Sequence, residues 1–169
     1  VPSNTYIATW LAVSRTGATP VPVEPDPLTF NIDPKRIPRA ITRRTKAVLP
    51  VHFTGRLARM PEIMEIARQN GLLVIEDGSQ AFGATFEGRP CGSFGDMACI
   101  SLNAMKLLGG LGDGGVIVTY DAATAKKLGV LRECGVADRD YCVALSHNCR
   151  LDTLQAAIIA VYNPVSVGR

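Results

Sequence analysis

An α/β fold, a mainly parallel sheet flanked by helices, is the class this sequence predicts. Short apolar runs alternate with stretches of helical period along the chain. The run Leu72-Leu73-Val74-Ile75 is unbroken, as expected of a parallel strand covered on both faces. No internal repeat or low-complexity stretch interrupts the alternation.

The elements follow in order. Ile7 to Val13 has helix-compatible apolar spacing and stops at Gly17. Pro20 to Val23 is short and extended. Asp33-Pro34 joins an N-cap to a proline at the first helical position and opens a helix to about Ile41. Lys46 to Val51 is a buried strand. Pro61 to Gln69 sets Ile63, Met64, Ile66 and Ala67 on one helical face, and Gly71 supplies the stop. Met97 to Leu102 and Val116 to Tyr120 are strands with a glycine-rich turn between them. Ala122 to Arg132 and Leu151 to Val161 are helices.

Composition narrows the function classes. The chain has 169 residues, enough for one domain with a sizeable core. Its net charge of +3 comes from 18 basic and 15 acidic residues. The densest basic cluster, Arg39, Arg43, Arg44 and Lys46, holds no aromatic residue. It reads as a solvated helix end and loop, so no nucleic-acid partner is expected. No apolar run approaches the roughly 20 residues that span a bilayer. Val1-Pro2-Ser3-Asn4 lacks the basic and apolar regions of a signal peptide, so no membrane association is expected. The five cysteines form no CxxC pair and read as free thiols in a reducing cytoplasm. The two histidines leave no credible Cys/His zinc spacing.

Three segments could carry chemistry. Ile75-Glu76-Asp77-Gly78-Ser79-Gln80 ends a strand in two acids, and in open α/β sheets ligands lie at the carboxyl ends of strands. Asp77 therefore has two readings, a group facing the ligand or a cap of the next turn. Glu76 reads as a peripheral charge. In Cys99-Ile-Ser101-Leu-Asn-Ala-Met-Lys106, one lysine follows a strand end among Ala104, Met105, Leu107 and Leu108. Desolvation would make its amine a nucleophile, whereas a surface lysine would extend its head to water. The third segment contains a formal GxGxxG at Gly110, Gly112 and Gly115. A strand follows it rather than a helix, so it is not a dinucleotide fingerprint. Its glycines are expected to make a flexible turn with unusual backbone angles beside Lys106.

The order and spacing of these segments resemble one family over about residues 1 to 160. Val1-Pro-Ser-Asn-Thr5-Tyr6-Ile-Ala-Thr9, Gly17-Ala-Thr-Pro-Val and Phe30-Asn31-Ile-Asp33-Pro34 form the first block. Pro50-Val-His52-Phe-Thr-Gly55, Val74-Ile-Glu-Asp77-Gly-Ser-Gln80-Ala-Phe-Gly83-Ala and Gly92-Ser93-Phe94-Gly95-Asp96 form the second. Ser101 to Lys106, Gly112-Asp113-Gly114-Gly115 and Asn148-Cys-Arg150-Leu-Asp152-Thr-Leu-Gln155-Ala-Ala form the third. The pattern is similar to that of the DegT/DnrJ/EryC1/StrS sugar aminotransferases, fold-type I enzymes dependent on pyridoxal 5'-phosphate (PLP).

The resemblance implies a role for each matching residue. Lys106 matches the Schiff-base lysine, which also moves the proton. Asp77 matches the acid paired with the pyridine nitrogen, and Gln80 the residue near the ring hydroxyl. Ser101 matches a donor to the cofactor phosphate, and Tyr6 the aromatic ring stacked on the pyridine. Asn148 matches an asparagine that reaches the phosphate in the neighbouring subunit, which implies a homodimer. The implied reaction moves an amino group from glutamate or glutamine to a nucleotide-linked keto-sugar, in the cytoplasm. The PLP electron sink deepens when its ring nitrogen is protonated, and an adjacent carboxylate favours that form.

Departures from the family pattern accompany the match. A Gly-Thr-x-Ala-Leu phosphate segment and the small C-terminal domain are not found in these 169 residues. Ser146-His147 replaces a Gly-aromatic pair, and Ala104 stands where proline is common. Residues 1–161 are expected to form part of the PLP-binding large domain. Residues 162–169 are expected to form an atypical tail, its helix interrupted at Pro164. The expectation is of a partial chain and a poor enzyme on its own. The competing reading is an inactive fragment or a non-catalytic, dimerising relative. A dehydratase of the same family would carry histidine at the position of Lys106.

Overall fold

The computed structural model describes residues 1–167, with side chains to Val161. Two compact units divide the chain, one spanning Val1–Ser101 and the other running on from Leu102.

The first unit is built on three parallel strands. β1 (Ala47–Val48) pairs with β2 (Leu73–Asp77), and β2 pairs with β5 (Met97–Ser101). The register of β1 continues beyond its two residues, because Val51 still opposes Asp77. Pro50 breaks the strand formally, since it has no N–H to give the ladder, but its carbonyl still accepts from the Asp77 N–H at 2.9 Å. In chain order, the short antiparallel pair β3 (Thr85–Phe86) and β4 (Arg89–Pro90) falls between β2 and β5 and forms a sheet of its own.

Three helices belong to this unit: α1 (Ile7–Arg15), α2 (Ile37–Ala40) and α3 (Met60–Gln69). Asp33 caps as expected, its side chain accepting from the Lys35 N–H. The segment after it is a 3-10 turn, Pro34–Arg36, running into α2, so the expected helix is shorter and in two parts. α3 buries Met60, Ile63 and Ala67 against Val48 and Val74. At about 25 cal/mol per Å² of apolar surface, each large side chain so buried stabilises by about 1.5–3 kcal/mol. Burial along β2 alternates. Val74 and Glu76 are buried, Leu73 is exposed, and Ile75 and Asp77 are half-buried. The expected cover on both faces therefore holds on one face, the face that meets α3.

The second unit holds β6 (Gly115–Val118), α4 (Ala122–Arg132), the antiparallel pair β7 (Val136–Asp138) and β8 (Tyr141–Cys142), and α5 (Thr153–Val167). α4 starts at Asp121, which accepts from the Thr124 N–H. α5 continues through Pro164 to Val167, where the sequence predicted an interruption. The side chains of 162–167 and the whole of 168–169 lie outside the described residues. Among the described residues, no helix is long and apolar enough to cross a membrane.

Candidate active site

Parallel pairing brings the carboxyl ends of β1, β2 and β5 to one edge, where Asp77 and Ser101 end their strands. Asp77 is held at four points. Its N–H donates to Pro50 O and its carbonyl accepts from the His52 N–H, both at 2.9 Å. Its Oδ1 accepts from the Ser79 N–H at 3.0 Å, and its Oδ2 accepts from the Thr9 hydroxyl at 2.9 Å. The turn-capping contact is thus present, and a second, long-range contact accompanies it. A carboxylate offers about four lone-pair positions, so these two donors leave acceptor capacity on a half-buried group.

Gln80 lies three residues on. Its side-chain carbonyl accepts from the Thr54 N–H at 2.8 Å, which leaves its NH2 as a donor. Thr54 has φ +54°, a strained conformation for a β-branched residue. Ser101 is half-buried at the end of β5. Tyr6 forms the N-cap of α1 and is 73% exposed.

Glu76 corrects the sequence reading. It is not a peripheral charge but is fully buried. Its Oε1 accepts from the N–H groups of Phe94 (2.8 Å) and Gly95 (2.7 Å). Its Oε2 accepts from Gly92 N–H (3.1 Å) and His52 Nε2 (2.9 Å). The Ala58 N–H donates to His52 Nδ1 at 3.2 Å, which assigns the ring proton to Nε2. Burial pushes the Glu76 carboxyl up, but the donors from His52, Gly95, Phe94 and Gly92 outweigh it and hold the group below its ordinary value. Burial, with the charges of Glu76 and Asp77, pushes the neighbouring Cys91 thiol up to about 12. The reactive groups of His52, Glu76 and Cys91 lie within 4.8 Å of one another. Hydrogen bonds already occupy both ring nitrogens and both carboxylate oxygens, so this cluster accounts for itself as a brace. A side chain at Gly95 would come within 2.7 Å of Val74 O, so the turn closes on β2 only with glycine there.

Lys106 lies in the second unit, on a loop tied back to itself. Leu102 N–H donates to Gly114 O at 2.8 Å, and Gly110 N–H to Leu102 O at 3.0 Å. Asn103 Nδ2 donates to Asp113 at 2.7 Å, and Lys106 N–H to Asn103 O at 2.8 Å. Lys106 itself is half-buried. Its apolar neighbours do not enclose it, because Met105 is 92% exposed and Leu107 81% exposed. The glycines differ from expectation as well. None from Gly109 to Gly115 has positive φ. They serve close approach instead: a side chain at Gly110 would strike Gln155, whose Oε1 accepts from Leu111 N–H at 2.7 Å.

Asn148 is exposed and opposes Glu133. Its Oδ1 accepts from Arg150 Nε at 3.0 Å, and Arg150 pairs with Glu133 at 3.5 Å. With Oδ1 accepting there, its NH2 keeps its donor capacity. Thr9, His52 and Glu76 were not marked as site residues by sequence reasoning. Each stands within a motif block, but only tertiary contact shows what it touches.

Comparison with known proteins agrees with this fold. The description "DegT/DnrJ/EryC1/StrS aminotransferase family" matches residues 1–162. A dTDP-3-amino-3,6-dideoxy-α-D-galactopyranose transaminase of Aneurinibacillus thermoaerophilus is 51% identical over 95% of this chain and 44% of its own length. The crystal structure of DesV from S. venezuelae, in complex with a ketimine intermediate, superposes with a TM-score of 0.94. It is 45% identical, over 98% of this chain and 45% of that one. The NtdA structure from Bacillus subtilis, with the cofactor PMP bound, gives 0.89 at 37% identity, over 94% of this chain and 36% of that one. The chain spans less than half the length of these relatives. With its motifs, sheet and family match in agreement, the chain belongs to the DegT/DnrJ/EryC1/StrS aminotransferase family.

Proposed function

We propose that the protein is a PLP-dependent aminotransferase that moves an amino group from glutamate or glutamine to a nucleotide-linked keto-sugar. Residues 1–161 are then part of its cofactor-binding domain. The reading extends to a cytoplasmic homodimer in which Asn148 reaches the neighbouring site.

The observation that carries it is the Asp77 carboxylate. It ends a central parallel strand, is pinned at both oxygens, and keeps capacity for one more donor. Such an acid fits the protonated nitrogen of a pyridine ring. The Gln80 amide, its carbonyl fixed by Thr54, fits an anionic ring oxygen as a donor. The Ser101 hydroxyl fits a phosphate. Tyr6 offers an exposed aromatic face for stacking. Lys106 would bind the cofactor covalently, and its amine would move the proton between substrate and cofactor carbons. PLP supplies the electron sink for that proton transfer.

Asp77→Asn tests the reading. It keeps a carbonyl acceptor but removes the charge. Turnover is expected to fall about 10²–10³-fold, the cost of one electrostatic partner, with the yield of folded protein nearly unchanged. A cap alone would cost about 1 kcal/mol of stability and leave activity per folded molecule near normal. Measuring turnover and unfolding on the same variant separates the two.

A further inference from the structure

A hydroxyl, not an apolar side chain, anchors the first helix. Of the nine residues of α1, Thr9 alone is buried. Ile7 and Leu11, which the hydrophobic effect would bury first, are exposed. The Thr9 hydroxyl donates to Asp77 Oδ2 at 2.9 Å and stands 3.0 Å from the Thr5 hydroxyl. A hydroxyl has one hydrogen, and that of Thr9 goes to the carboxylate, so Thr5 donates to Thr9. The chain runs one way, from Thr5 to Thr9 to Asp77, and each bond polarises the next.

We propose that Thr9, backed by Thr5, is a positioning residue that aims the Asp77 carboxylate at the ring nitrogen of the cofactor. This rests on the reading of Asp77 as the partner of that nitrogen. The terminal torsion of an aspartate is broad and two-fold, so one local contact leaves the carboxylate plane poorly defined. The Ser79 N–H is such a contact, two residues away in the chain. The Thr9 hydroxyl comes from 68 residues away and grips the other oxygen. Two donors from different elements fix the plane, and with it the direction of the remaining lone pairs.

The test compares binding of PLP with binding of its 1-deaza analogue, in which a carbon replaces the ring nitrogen. Thr9→Val keeps the shape and removes the hydroxyl. It is expected to weaken PLP binding about tenfold or more, as loss of a hydrogen bond to a charged group does. It should leave the analogue's affinity unchanged and add nothing in an Asp77→Ala background. Thr9→Ser should restore PLP binding, and Thr5→Val should give a smaller loss of the same kind. Equal losses for both ligands, or a loss that persists in Asp77→Ala, would overturn the inference, because Thr9 would then act through packing. If Asp77→Ala distinguishes the two ligands and neither threonine variant does, the inference alone falls. If Asp77→Ala distinguishes nothing, the reading of Asp77 falls and takes the inference with it.

Discussion

Lys106→Ala is expected to abolish transamination while the protein remains folded. Of the five lysines, Lys35, Lys46, Lys106, Lys126 and Lys127, only Lys106 is half-buried; the others are exposed. Its loop is closed by backbone bonds at Leu102 and by the Asn103–Asp113 pair. Those bonds do not involve the Lys106 side chain, so its removal leaves the loop intact. The expected loss in turnover is on the order of 10⁶, the size found when a catalytic nucleophile is removed. PLP should still bind through its other contacts. Borohydride treatment of the wild-type protein followed by peptide mapping identifies the lysine directly. A phosphopyridoxyl group on Lys46, Lys126 or Lys127 would defeat the assignment.

The second large effect concerns stability. Glu76→Ala is expected to lower the unfolding free energy by about 3–5 kcal/mol, because it leaves four donors, three of them buried, without an acceptor. Glu76→Gln should cost less, about 1–3 kcal/mol, yet it cannot be neutral. Each carboxylate oxygen accepts from two donors, so an amide NH2 meets N–H groups in either orientation. His52 cannot switch tautomer to help, because its Nδ1 already accepts from the Ala58 N–H.

The same brace gives a pH dependence with a definite sign. The folded Glu76 carboxyl lies below its ordinary value of 4.5. The unfolded state therefore binds more protons where the two differ, and stability rises with pH there. This contribution is fully present above about 4.5 and is lost as pH falls through the lower, folded value. Urea unfolding of wild type between pH 7 and pH 3 should show that loss, and Glu76→Gln should show a flatter profile. Parallel profiles for the two proteins would remove Glu76 as the source.

Much of this protein was legible in its residues. The sequence placed α3, from its apolar period, and α4 within a residue of their observed bounds, because helices depend on contacts three or four residues apart. The Asp33-Pro34 signal found a true cap, for the same local reason. Motif order identified the family, and the residue types at Asp77, Gln80 and Lys106 state the chemistry on offer. What the sequence could not state was which side chain meets which across long stretches of chain. Glu76 and Asp77 are adjacent acids on one strand and point to opposite faces, since strand side chains alternate. One is closed in by His52 and the 92–95 turn, and the other is held by Thr9 from the first helix. The glycines after Lys106 are expected to give unusual backbone angles, and instead they give close approach: Gly110 and Gly112 to Gln155, Gly109 to Asn103 and Ala104, and Gly114 to Leu151. Local propensity decides where a helix begins. Only packing between distant segments decides whether a carboxylate is buried as a brace or left with lone pairs to spare.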